Sequence, residues 1–345
     1  MDTNTVRYAE LEEPQTARIS AAAGQRRPAF AFRPLVPGMR RLLFTASVLV
    51  LLAGIQLFVF TGRTDHYFAW TIANPLSAAF LGAGYWAAVA IEALGARERL
   101  WANARIAVPA VFVFTVLTLA ATLTHLGQLH LGAGFPVGTQ MVTVAWVAIY
   151  ILVPALMLAL LAVQARTPGT DPLRSAGLPP WLNVMLATQA IVLLGLGIAL
   201  FAAPAQSAPL WPWKLTPMMA QAIGAWLIAL GVAAGHALAE RDARRLRPAA
   251  VGYILLAVLL FIALARYPHL FAWQSASGIA YLIFLTTMLL TGTAGLARGF
   301  PRTARGSASG RPPAMLPASR AQPSGIASRR PGGSWMSRTA RRARW

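Results

Sequence analysis

Residues 141–163 read MVTVAWVAIYILVPALMLALLAV, without one Asp, Glu, Lys or Arg. Coiled at 1.5 Å per residue, the stretch makes a helix of roughly 35 Å, enough to cross the ~30 Å hydrocarbon core of a bilayer while satisfying its own backbone. Its apolar residues follow neither the half-buried helix period nor strand alternation, so no face of it asks for water. Seven further blocks of this kind flank it: Leu42–Phe60, Pro75–Leu94, Ile106–Leu129, Trp181–Ala203, Pro217–Leu238, Ala249–Ala265 and Gly278–Ala297. The composition agrees: 57% of residues are hydrophobic and 12% charged, against about a quarter charged in soluble domains. The expected fold is an all-α membrane protein of about eight transmembrane helices, with residues 41–297 forming the bundle.

The flanks differ. Residues 1–40 carry Glu10, Glu12, Glu13 and several prolines with no sustained period, and are expected to be a disordered arm. No cleavable signal peptide is visible, because the first apolar block starts near residue 42, behind this polar arm. Residues 298–345, with "RGSASGRPP" and "RRPGGSWMSRTARRARW", are expected to be a disordered basic tail.

Charge gives the orientation. Of 30 basic residues, all but Arg63, Lys214 and Arg266 fall on one side of the eight spans, and the side that retains Lys and Arg is cytoplasmic. Both termini are then cytoplasmic, and an even span count agrees, since it returns the chain to the side it started from. The +20 formal charge is therefore mostly topological. Beside a bilayer the basic tail would meet anionic lipid, at roughly 1 kcal/mol per basic residue. No nucleic acid is expected as partner; a protein partner docking on the tail is the further expectation. Every basic residue except Lys214 is arginine, a bias of GC-rich genomes that points to a bacterial cytoplasmic membrane. Cysteine is absent, which excludes disulfides, thiolate metal sites and cysteine nucleophiles.

An internal repeat is suggested by H-x-F-A-W, present as His66-Tyr67-Phe68-Ala69-Trp70 before the second span and His269-Leu270-Phe271-Ala272-Trp273 before the eighth. The sixth span adds a match to the second, since Pro75 precedes Gly82-Ala83 as Pro217 precedes Gly224-Ala225. Repeated helical hairpins, with spans three and four diverged around Trp146, are the expected arrangement, as in transporters built from parallel repeats. Interfacial anchoring is the competing explanation for Trp70, Trp211, Trp213 and Trp273. Gly231-x-x-x-Gly235 reads as a close-packing motif.

Motifs for nucleotide binding, zinc hydrolysis and serine nucleophiles are missing, and the reading leans away from an enzyme. Glu92 and His236 are the ionisable residues inside spans, each near a helix end, and Glu92 is expected to reach the interface beside Arg97 or Arg99; without mid-membrane charge, a proton-coupled pump with a carboxylate relay is not expected, whereas a facilitator of neutral solutes is compatible. In the third span Thr115, Thr118, Thr122, His125 and Gln128 recur at three- and four-residue steps and line one stripe. Imidazoles His66, His125, His130 and His269 lie toward the outer side, a set suited to zinc, copper or haem iron if they converge; the cofactor stays undetermined. Candidate ligand-binding residues are thus Asp65, His66, Trp70, Thr115, Thr118, Thr122, His125, Gln128, Trp213, His269 and Trp273. They would serve transport or permeation of a small solute, with a non-catalytic accessory or sensory subunit and a metal or haem redox protein as alternatives.

Overall fold

The computed structural model describes residues 32–174 and 177–299, so most of the expected arm and tail lies outside it. The described residues fold into helices α1 (Pro37–Gly54, continued by a π-turn, Ile55–Val59), α2 (Pro75–Arg97), α3 (Val108–Thr124), α4 (Val137–Arg166), α5 (Pro180–Ala202), α6 (Pro217–Glu240), α7 (Arg247–Arg266) and α8 (Ala276–Gly299). Seven of them are long and apolar enough to cross a membrane, which makes the chain a polytopic membrane protein.

The helix that falls short is α3, with 17 residues. The apolar block from Ile106 to Leu129 reads as one span, but His125 leaves helical dihedrals (φ −122°, ψ 28°) and Leu126–Gln128 tighten into a 3-10 turn. At about 25 Å, α3 sits at the lower limit for spanning. The arm also ends earlier than expected. Arg33 N donates to Thr170 O, Leu35 N to Arg99 O and Val36 N to the Gln164 side chain, so the chain is docked before α1 begins at Pro37.

Helix starts follow local chemistry. Pro75 and Pro217 occupy first turns, where the missing N–H has no partner to lose, and Asn74 and Thr216 accept from Leu76 N and Met219 N as caps. The π-turn of α1 falls where Trp86 Nε1 reaches the Leu51 carbonyl (3.2 Å) over Gly54, a side chain inserted beside the ladder.

Neighbours in sequence pack as hairpins: α1 on α2, α3 on α4, α5 on α6, α7 on α8. Between hairpins α2 meets α7, α6 meets α3, α1 meets α4, α5 meets α8, and α2 touches α6. Gly82 lies against the backbone of Leu57 and Phe58, and Gly224 against Gly197 and Phe201; a side chain at either would force the pair apart. Gly231 likewise abuts Leu194, but nothing approaches Gly235, so only the first half of that motif packs. The interior centres on Phe114 and Trp226, whose rings are 4.1 Å apart, with Tyr85 5.2 Å from Trp226.

Two ends are distinct. One, the basic end, holds a buried ion cluster in which Arg245 binds Glu240 (2.8 Å) and Arg105 binds both Glu240 and Asp171. Hydrogen bonding to Glu240 holds the Arg105 guanidinium above its ordinary pKa. The other, the histidine end, is knitted by His130 N to Ala69 O and Ala272 N to Pro212 O.

Candidate functional site

At the histidine end the expected residues fall into separate groups. Asp65 and His66 pair at 3.3 Å on the exposed surface. His269 is also exposed, and Trp273 beside it donates to Pro268 O at 2.7 Å. His125 bonds Gln221 Oε1 (2.8 Å), and Gln128 bonds His125 Nδ1 (3.2 Å). His130 is buried, held by Phe68 O and Thr71 Oγ1. Among the described residues no three His, Asp or Glu side chains converge as metal ligands.

Three of the four indoles expected either to anchor at headgroups or to line a site instead face the protein interior. Trp70, Trp211 and Trp213 are buried, and of the four only Trp273 is exposed. Trp70 packs on Phe68 (4.5 Å) and Trp146 (5.1 Å). Trp213 packs on Trp211 (5.1 Å) and Tyr281 (5.5 Å) and donates to Ser77 Oγ at 2.8 Å. The loops carrying them fold back over the helix ends, so the indoles cap the core instead of facing headgroups.

The α3 stripe turns inward. Thr115, Thr118 and Thr122 are buried; Thr122 Oγ1 accepts from Trp146 Nε1 (3.2 Å), and Thr118 Oγ1 has no partner. Thr115 bonds Phe112 O and lines a cavity of about 80 Å³ enclosed by α1, α2, α3, α4, α6 and the start of α7.

Glu92 lines the same cavity. It is 2% exposed, and its Oε2 has no hydrogen-bond partner. The expectation that it reaches Arg97 or Arg99 at the interface is wrong: Val89, Ala90, Ile91, Ala93 and Leu94 around it are half-buried, but Glu92 lies on the side of α2 that faces α3, α4 and α6, away from the exposed Arg97. The lining brings no Lys, Arg or His to it; its other residues with polar side-chain atoms are Tyr150, whose phenol bonds Tyr85 at 2.6 Å, Thr115 and Trp226. Ionised and unpaired in hydrocarbon, a carboxyl is disfavoured by several kcal/mol, and such residues ordinarily mark ion or proton pathways. The cavity has room for about two waters at ~30 Å³ each. The arrangement can therefore hold a proton on Glu92 in a chamber that Tyr150 and Thr115 also line.

A signal for Glu92 was present in α2 itself. Ser77, Ala78, Ala79, Gly82, Ala83 and Gly84 make a helix small on every side, the mark of a central helix whose polar residues face protein.

Comparison with protein-family models, with characterised proteins and with solved structures finds no match.

Proposed function

We propose that this chain is a secondary carrier that moves a small solute across a bacterial cytoplasmic membrane, with Glu92 as its proton-binding group. The observation that carries the reading is the buried, unpartnered Glu92 carboxyl facing a chamber between α2, α3 and α6.

The packing supports a carrier built from two halves, α1–α4 and α5–α8. Each principal helix contact has a counterpart four helices on: α2 on α7 answers α6 on α3, and α1 on α4 answers α5 on α8. Registers agree as well, since Gly54 under Trp86 corresponds to Gly197 against Ile228. The four-helix unit favours His130 as the partner of His269, at the spacing that separates Pro109 from Pro248; the hairpin repeat through His66 is the weaker relation. Carriers of this kind place their sites where the halves meet, and the Glu92 chamber lies beside the contact of Tyr85 with Trp226. In this reading α3 completes eight crossings, the basic end is cytoplasmic, and the α3 seam from Thr115 to His125 and Gln128 marks the outward route. The basic tail would rest on anionic lipid.

The test uses the full chain in vesicles loaded with a pH-sensitive dye, challenged with a panel of amino acids, sugars and small osmolytes. At least one compound is expected to drive proton movement with the native protein and none with Glu92→Gln. Proton movement that persists undiminished in Glu92→Gln overturns the role of Glu92; a panel that moves no protons with the native protein overturns proton-linked transport.

A further inference from the structure

A larger cavity lies elsewhere, in the second half of the bundle. About 500 Å³ is enclosed by α5, α6, α7 and α8 beneath Trp211, a volume typical of sites for drug-sized molecules. Val184, Val192 and Ile283 line it and are also exposed on the outer surface of α5 and α8. The cavity therefore opens sideways, toward lipid. None of its lining residues is charged, which disfavours anionic and cationic occupants.

Two polar atoms in its wall are buried without a partner: Gln189 Oε1 and Trp211 Nε1. The Gln189 amide is fixed by its neighbours. Thr287 donates its hydroxyl proton to Phe284 O (2.8 Å), so it can only accept from Gln189 Nε2 (3.3 Å), and the same nitrogen reaches Thr291 Oγ1 (3.0 Å). Both amide hydrogens face threonines, which leaves Oε1 as an acceptor awaiting a donor. Trp211 Nε1 is a donor awaiting an acceptor. A hydroxyl is the smallest neutral group that serves in either role. Hydrocarbon chains leave both atoms unsatisfied, and a carbonyl alone cannot serve Gln189.

We propose that this cavity is a binding site for a neutral long-chain alcohol dissolved in the bilayer, taken up sideways between α5 and α8 with its hydroxyl on Gln189. Aliphatic walls at Leu193, Leu196 and Met288 hold the chain, and the aromatic edge of Trp211 and Tyr281 closes the cavity at the histidine end. The site is independent of Glu92.

The experiment is photolabelling of the full-length protein in detergent micelles with hexadecanol carrying a diazirine and an alkyne, mapped by peptide mass spectrometry. Labels are expected on the α5 and α8 segments around Gln189 and Met288, displaced by excess 1-hexadecanol but not by hexadecane, palmitate or phosphatidylcholine. Gln189→Leu should weaken displacement about tenfold, the order of one hydrogen bond, and Leu196→Trp should abolish labelling by filling the space. Trp211→Phe keeps an aromatic ring, though a smaller one, and removes the N–H donor; it serves if either of the others fails to fold. Labelling that phosphatidylcholine displaces equally well would assign the cavity to ordinary acyl chains. Labelling spread evenly over lipid-facing α4, or displacement unchanged in both Gln189→Leu and Trp211→Phe, would also overturn the proposal.

Discussion

The hydroxyls of Tyr85 on α2 and Tyr150 on α4 share a 2.6 Å hydrogen bond in the buried centre of the first half. Helices α2 and α4 are not among the principal packing pairs; besides this bond they meet at the Tyr85–Trp146 ring contact (6.3 Å) and through α1, which packs on both. Replacing Tyr150 with Phe leaves the Tyr85 hydroxyl stranded, and is expected to lower stability by about 1–3 kcal/mol. Removing both hydroxyls should cost less than the sum of the single changes, because no donor is then left unpaired. Thermal unfolding in detergent for Tyr85→Phe, Tyr150→Phe and the pair reads this coupling; strict additivity would show that the bond does not form.

The hairpin crossings make a sharper prediction. A Cβ at Gly82 would stand 2.5 Å from Phe58 N, and one at Gly224 2.8 Å from Gly197 O. Backbone cannot rotate away as a side chain can, so Gly82→Ala and Gly224→Ala should each destabilise by about 1–3 kcal/mol. Gly235→Ala, with open space around it, should be neutral or stabilising by up to ~1 kcal/mol from helix propensity. Equal effects at Gly224 and Gly235 in the same unfolding assay would contradict the packing.

What the sequence made legible was what the bilayer dictates. Block lengths near 30 Å located the seven long helices, and Pro75 and Pro217 marked helix starts. What it hid was which way a uniformly apolar helix faces. Helix α2 is apolar all round, so no stripe says that Glu92 points at α3 and α6 and not at its own Arg97; only its run of small residues marks it as a central helix. His125 illustrates a second limit: apolar Leu126 and Leu129 extended the block past it, while the backbone had already turned. The candidate residues at the histidine end share a region and little else. Asp65 and His66 contact one another, as do His125 and Gln128, but Trp70 and Trp213 belong to separate aromatic groups. Charge counting likewise treats Arg244 and Arg245 alike, although one is exposed and the other is 3% exposed within an ion cluster.

That difference between adjacent arginines is measurable. Arg245 pairs with Glu240 and Asp242 and donates to Pro172 O, all with little access to water. Arg245→Met strips compensation from buried carboxylates and should cost roughly 3 kcal/mol or more, while Arg244→Met should stay within about 0.5 kcal/mol. The comparison controls for net charge, since both variants lose one positive group. Similar unfolding temperatures for the two would mean that the cluster is solvated.

Orientation can be read with thiol labelling, because the chain has no cysteine of its own and each introduced thiol reports alone. The sites must be exposed. Ser207 is buried and would report packing, whereas Gln206 beside it, His269, Arg166 and Arg244 are exposed. The basic residues concentrate at the end of Arg166 and Arg244, and positively charged segments resist translocation. A membrane-impermeant maleimide applied to intact cells is therefore expected to label Gln206→Cys and His269→Cys but not Arg166→Cys or Arg244→Cys, with all four labelled after lysis. Because α3 is the short helix, Arg99→Cys and Gln128→Cys, both at exposed positions, add a test of whether it crosses: they should fall on opposite sides, the second accessible from outside. Labelling of Arg244→Cys in intact cells would invert the bundle and move the outward route to the Glu92 end.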